Sequence, residues 1–430
     1  MTESLTLLNA HIPACLLENI PILAPTEESL VQVDIEIVDG IIRKILPSPA
    51  LFDAKSSTDL KKKLIFPHFI DLHTHLDKGH IWHRAPNHHG TFDHALTTVR
   101  KDYDKYWQAE DLYRRMEFGL KCSYAHGTAA IRTHLDSFGE QADISFNVWQ
   151  QLQSEWSDRL ILQAVSLVSL DYYQTSEGIV LADKVAEVGG ILGGVAYTHP
   201  ELDNQLDWVF RLAQERQLDL DFHADENNEV DSICLQKIAA AALRTKFTGR
   251  ILCGHCCSLA VQPEAVVEKT LRLVKEANIH IVSLPSCNLF LQDRQASQTP
   301  VWRGITRVHE LKEFDIPIAF ANDNCRDPFH GFGDHDMLDV FSMAVKICHL
   351  NTPYEDWCRS VTQTPADVMS LSHLGRLRVG LPANLIIFKG RYFSELLSRH
   401  QSDRLILKNG KPISVSLPDY AELDDLIFLE

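Results

Sequence analysis

Residues 64–78 read Leu64-Ile-Phe-Pro-His-Phe-Ile-Asp-Leu-His73-Thr-His75-Leu-Asp77-Lys78. Side chains of an extended strand alternate faces, so residues two apart point the same way. His73 and His75 therefore stand side by side, where neutral imidazoles can share one metal ion such as zinc or iron. The residues before them are apolar (Leu64, Ile65, Phe66, Phe69, Ile70, Leu72), the composition of a buried strand ending at His75. Paired ligands at the end of a buried strand point to a metallohydrolase. His-x-His is by itself a weak motif in a chain with 21 histidines, so its partners must be sought further along.

Outward from this strand, residues 64 to about 370 alternate short β-branched runs with amphipathic helical stretches, the pattern of a parallel sheet. Strand ends are expected at His75, Asp136, Ser169, His199, Glu226, His255, Asn288 and Asn324. Apart from a gap of about 60 residues after the first, they fall roughly 27 to 36 residues apart, the spacing of repeated βα units. Helices are expected over Glu110–His126, Leu206–Gln217, Val230–Arg244, Glu264–Ala277 and Met337–Leu350. The fold class predicted is α/β, a (β/α)8 TIM barrel over residues 64–375 with its active site at the C-terminal ends of the strands. Residues 1–63 and 376–430 hold short extended segments instead (Leu5–Leu8, Val33–Val38, Ile41–Ile45, Leu385–Phe388, Leu405–Leu407), with turns at Asp39-Gly40 and Asn409-Gly410. These flanks are predicted to pair into a small β-sandwich.

Hydrophobic and charged contents of 45% and 23% are ordinary for a globular protein. A net charge of -17 argues against nucleic acid as a partner. No basic region followed by an apolar stretch opens the chain, and no apolar run approaches the roughly 20 residues of a membrane span. The ten cysteines are scattered, and Cys253-x-x-Cys256 flanks His255 without a second pair. Reduced, mostly buried thiols in a cytoplasmic protein are expected. The partner expected is a small molecule, with self-association left open.

The polar residues at the expected strand ends form a set. The first strand offers His73 and His75, the fifth His223 and Glu226, the sixth His255 and the eighth Asp323. Three imidazoles and one carboxylate suit a divalent ion that keeps an open position for water. His255 remains as a base or positioning group, and Glu226 as a carboxyl able to carry a proton. Residues 77–105 read as a long loop bearing Lys78, His80, Trp82, His83, Arg84, His88, His89, Phe92 and His94. It either overhangs the site or is an ordinary solvated loop.

Six segments carry a resemblance: His73-Thr-His75-Leu-Asp77, Arg132-Thr-His134-Leu-Asp136, His223-Ala-Asp-Glu226, Asn288-Leu-Phe-Leu-Gln292, Arg303-Gly-Ile-Thr-Arg307 and Asp323-Asn-Cys-Arg-Asp327, the last followed by Gly333 and Met337-Leu. With them the chain resembles the amidohydrolase superfamily over almost its whole length, in its cytosine deaminase-like branch. The resemblance implies one metal ion, Fe2+ or Zn2+, on His73, His75, His223 and Asp323, with Glu226, His255 and Asp323 transferring protons. Metal-activated water would attack the ring carbon bearing an amine, and ammonia would leave. Binuclear members bridge two ions through a carbamylated lysine at the end of the fourth strand; here that end reads Gly194-Val-Ala-Tyr197-Thr-His199, with no lysine.

Two positions depart from cytosine deaminase. Ser169 and Leu170 stand where its third strand ends in a glutamine that reads the pyrimidine, and Asn324 replaces a frequent second aspartate. Relatives acting on triazine rings also carry Asp-Asn there. Cytosine, pterin and triazine rings thus all stay open as substrates. The candidate contacts are Ser169, Asn288, Gln292 and Asn324, with Arg132 and His134 as supports of the ligands. Two other readings are a hydrolase of a cyclic amide or N-alkylamino group, and a non-catalytic barrel acting as a binding module.

Overall fold

The computed structural model describes residues 4–19, 24–51 and 57–428. The apolar run that ends in His73 forms a fully buried strand, β1 (Phe69–Thr74). It is followed by β2 (Thr128–Asp136), β3 (Ile161–Leu167), β4 (Leu192–Ala196), β5 (Leu220–Ala224), β6 (Ile251–His255), β7 (Ile279–Ser283) and β8 (Ile318–Phe320). Their near-continuous burial is what a parallel sheet covered on both faces requires. β1 to β3 hydrogen-bond in order, as do β4 to β8. Parallel bridges Val165–Ile191 and Ser169–Val195 join β3 to β4, and Thr74–Asp323 joins the segment after β8 to β1. The strands thus close a circuit, a TIM-barrel-like α/β arrangement.

The helices Ala109–Ala125, Leu202–Arg216, Cys234–Thr245, Glu264–Glu276 and Met337–Ile347 fall where the periodicity predicts them. Two expectations are corrected. Asn288 does not end a strand: β7 stops at Ser283, and Pro285 opens a short helix, Pro285–Leu291, that carries Asn288. Residues 77–105 are not a continuous loop either, because Phe92–Tyr106 is a helix, α1, whose Thr91 side chain accepts from the His94 amide. Its periodic residues (Phe92, Leu96, Val99, Tyr103) are diluted by histidines and charges, which hid the helical repeat.

The chain divides into two compact units. One takes in the described residues up to Ile70, with Tyr124–Ala129 and Met337–Leu417; the other comprises Asp71–Ser123, Ala130–Asp336 and the chain from Pro418 on. The first unit holds two four-stranded sheets. Leu30–Val38 lies between Ile41–Pro47 and Ser4–Pro13, which also pairs with Ser57–Asp59; in the other sheet Leu385–Ile387 lies between Leu405–Lys408 and Ile65–Pro67. Leu7, Val33, Ile35 and Ile37 of one sheet share a core with Ile65, Leu385, Ile387 and Leu407 of the other. Asp39, Gly40, Asn409 and Gly410 all have positive φ, as hairpin turns of matching twist demand. The boundaries differ from the expected ones at the C-terminal side. Residues 337–375 group with the terminal sheets, whereas Leu423 and Ile427 pack on Phe118 and Cys122 of the second unit. Among the described residues no helix is long and apolar enough to cross a membrane.

Gly193 in β4 shows how closely the strands approach. A Cβ there would lie 2.6 Å from the Ser166 carbonyl oxygen and 2.8 Å from that of Asp221, both backbone atoms that cannot swing aside. Gly193→Ala is expected to destabilise the protein by about 1–3 kcal/mol in denaturant titration, and an unchanged midpoint would contradict this packing. In the first unit, burial lowers the His68 pKa to about 4, and the ring nitrogen Nε2 donates to the Leu407 carbonyl (2.9 Å). Below 6.5 the unfolded chain takes up a proton that the folded one refuses, so His68 makes stability fall as pH drops from about 6.5 to 4. His68→Gln, which keeps a donor for Leu407, should flatten the pH dependence of the thermal midpoint in that window; an identical slope would exclude the residue.

Candidate metal and catalytic centre

The C-terminal ends of the strands bring the predicted set together inside the second unit. His73 lies in β1 with His75 just beyond it, His223 lies in β5, His255 is the last residue of β6, and Asp323 follows β8. The backbone turns into the left-handed region at His255 (φ 68°) and Asp323 (φ 63°), as it does at many turns and helix ends of this chain. His75 Nε2 is 3.3 Å and His73 Nε2 3.6 Å from Asp323 Oδ1, and His223 Nε2 is 3.3 Å from His75 Nε2. All four residues are buried, His73 and Asp323 completely.

The donor chemistry fits a divalent cation. Both Asp323 oxygens, both His73 nitrogens, His223 Nδ1 and His255 Nε2 are buried without a hydrogen bond. An ionised carboxylate enclosed with so few partners costs several kcal/mol unless a positive charge meets it. Burial holds His75 and His223 well below the ordinary histidine pKa, so their lone pairs are available to a metal. Burial alone would raise Asp323, but the His73 and His75 nitrogens and the nearby His255 together hold it well below the carboxylate range.

Glu226 is driven the opposite way. Burial first, then the charge of Asp323, raise it well above the usual glutamate value, against a hydrogen bond from Asn288. Asn288 Nδ2 donates to Glu226 Oε1 (3.1 Å) and lies 3.1 Å from His255 Nδ1, which is itself 3.3 Å from Glu226. Gln292 Nε2 donates to the Glu226 carbonyl oxygen (3.2 Å). The two carboxyl groups of the site thus have their proton affinities pushed in opposite directions. Burial lowers His255 to about 3, leaving it neutral.

A second tier braces the first. His134 packs on the face of His73 (ring centroids 4.0 Å apart), and its Nε2 is 3.2 Å from Asp221 Oδ1. Arg132 donates to the other oxygen of Asp221 (3.1 Å). Nitrogens of His73, His75 and His134 also lie close enough to share an ion, as do those of His73, His223 and His255, and the Asp221 contact at Nε2 leaves His134 Nδ1 without a hydrogen bond. Lys78 Nζ bridges Asp136 (2.6 Å) and His75 Nδ1 (3.3 Å), and Asn324 donates to Asp327 (2.7 Å).

A cavity of about 460 Å3 opens onto His75, His223, Glu226, His255 and Asp323. Ser169 and Asn324 lie in its wall as expected, whereas Asn288 and Gln292 stand behind Glu226 and hold it. The rest of the wall was not foreseen. Leu96, Val99, Arg100 and Tyr103 of α1 line it with Phe92, and Phe138, Tyr197 and Phe329 face them. Their spacing of three and four residues in α1 was the available signal. Of the other residues of the presumed loop, Lys78 reaches the cavity. Arg84 is committed to Asp102 and Asp111, and His83 meets Arg326. Asp221 was also missed, being one acid inside a buried strand.

The chain matches the amidohydrolase family model (Amidohydro_3) over residues 117–413. It is 46% identical over 420 residues to a pterin deaminase of Rhizobium rhizogenes, covering 97% of this chain and 96% of that one. It is 24% identical over 374 residues to an N-isopropylammelide isopropyl amidohydrolase of Pseudomonas sp., covering 84% and 88%. Among solved structures it superimposes on 5-methylcytosine deaminase from Klebsiella pneumoniae, liganded with 5-fluorocytosine, with a TM-score of 0.81 at 24% identity, covering 96% and 98% of the two chains. That likeness supports the same fold.

Asp323→Ala should cut retained divalent metal at least about tenfold, measured by plasma emission on protein purified without added metal. Normal loading would remove Asp323 from the ligand set.

Proposed function

Because the chain belongs to the amidohydrolase family and is a hydrolase of C–N bonds other than peptide bonds, we propose that it is a metal-dependent deaminase of an amino-substituted nitrogen heterocycle, with pterin-like rings as the leading substrates. The observation that carries this reading is geometric: Glu226 stands on the cavity wall, held by Asn288 and 3.3 Å from His255, beside the His73, His75, His223 and Asp323 set. Those four residues would hold one ion per chain, iron or zinc, since the end of β4 has no lysine to bridge a second. When bound, such an ion acidifies water and so makes a nucleophile available near neutral pH.

The chain's own groups then move the protons. Glu226, aligned by Asn288 and Gln292, gives its proton to the ring nitrogen adjacent to the carbon under attack, which breaks aromaticity at that bond. Neutral His255 and anionic Asp323 take up the proton released by water, and Asp323 returns it to the amine. The C–N bond breaks and ammonia leaves, while the ring carbon keeps the oxygen as a carbonyl and the proton shed from that oxygen returns to Glu226. Ser169 and Asn324 would contact the ring edge, and the aromatic wall of Phe92, Tyr103, Phe138, Tyr197 and Phe329 suits a flat bicyclic ring. In this reading the barrel carries the chemistry, the terminal segments make a β-sandwich, and the ten free thiols suit a reducing cytoplasm.

An ammonia-release screen over pterin, cytosine, creatinine-like and triazine compounds with the metal-loaded protein tests the proposal. Ammonia from a pterin-like ring is the expected result. An alkylamine or a ring-opened acid would replace deamination by the other hydrolysis, and ligand binding without turnover would leave a binding module. Glu226→Gln should keep normal metal content and lose about 10²–10⁴-fold in turnover. Unchanged turnover would exclude Glu226 as the proton carrier.

A further inference from the structure

His80, Cys325 and His335 have no part in the reaction above, yet they converge. All three are buried, at 5%, 1% and 1% exposure, and one potential ligand atom of each lies within 4.8 Å of the others. His80 Nε2 is 3.2 Å from His335 Nε2. Nitrogens bound at about 2.0–2.1 Å to a tetrahedral zinc ion lie about 3.3–3.4 Å apart, so the pair already has the spacing of two ligands. The surroundings keep the cluster open: a Cβ on Gly119 would lie 3.0 Å from His335 Nε2, and one on Gly333 would lie 3.3 Å from Cys325 Sγ. Both imidazole-bearing residues are held in left-handed backbone, His80 at φ 65° and His335 at φ 54°. Phe118 closes one side, its ring 4.7 Å from that of His80.

We propose that His80, Cys325 and His335 form a second cation site, a structural one for a thiophilic divalent ion such as zinc. Two imidazoles and a thiolate are a donor set that prefers zinc over harder cations, and the fourth position falls to water. Burial and the facing His335 hold His80 well below the ordinary histidine pKa, so its lone pair is free of a proton. Binding forms the metal–sulfur bond and releases the thiol proton to solvent.

The site lies at the seam where the barrel closes, between the segments that follow β1 and β8. β8 has three residues, and its side of the circuit closes on β1 through the single bridge Thr74–Asp323. His80 follows β1, Cys325 and His335 follow β8, and the His80 amide donates to the Cys325 carbonyl (3.2 Å). An ion there clips the two segments together two residues beyond Asp323. The competing account is a plain hydrogen bond, one Nε2–H donating to the other ring, with no ion.

Cobalt separates the two accounts, because the catalytic set contains no sulfur. Protein expressed in cobalt-supplemented medium should hold about two cobalt per chain and show sulfur-to-cobalt charge-transfer absorption in the near ultraviolet. Cys325→Ser should abolish that absorption and lower cobalt to about one per chain, and His335→Gln should do the same if the serine variant does not fold. Cys122→Ser and Cys287→Ser should retain the absorption. Cobalt-loaded wild type without the absorption, or absorption that survives Cys325→Ser, would overturn the site. Neither readout depends on turnover, so a failed substrate screen leaves this test intact.

Discussion

A fully buried carboxylate, Asp323, faces the imidazoles of His73 and His75, and the rest of the catalytic unit is arranged around that charge. Its position is set by backbone, since its amide donates to the His73 carbonyl and its own carbonyl accepts from Thr74 Oγ1 (2.8 Å). The neighbouring polar groups extend the same logic. Asn322 is tied to Asp71, Asn324 to Asp327, and His134 to Asp221 and through it to Arg132. Asp71, Asp221 and Asp327 are each answered by a donor, as buried charges require, whereas the oxygens of Asp323 are left to the imidazoles around them.

The same charge sets the chemistry of its neighbour. Burial beside the Asp323 charge raises the proton affinity of Glu226, whereas the surrounding nitrogens lower that of Asp323. Two carboxyl groups whose proton affinities are pushed apart thus line one cavity. Asn288 and Gln292 act here by orientation: they fix Glu226 from behind and leave the wall of the cavity to Ser169, Asn324 and α1.

Much of this was legible from residue type and spacing. His73 and His75, two apart in an apolar run, could only share one face of a strand, and the βα period placed His223, Glu226, His255 and Asp323 at strand ends. The helix Phe92–Tyr106 was hidden because its apolar repeat is sparse among histidines and charges, and its long preceding segment resembled loop. Asn288 was displaced from strand end to helix by Pro285, a local signal that the hydrophobic run outweighed. Asp221 and the His80, Cys325 and His335 cluster carry no spacing rule at all, because their partners come from distant parts of the chain.

The sequence by itself thus determined the strand that carries His73 and His75, the eightfold order and the candidate residues at the strand ends, since these depend on alternation and period along the chain. Only the tertiary structure decided which way each carboxyl's proton affinity moves, which residues line the cavity, and where three unrelated side chains meet beside β1. Those outcomes depend on burial and on distances between residues far apart in the chain, and neither quantity exists until the barrel closes.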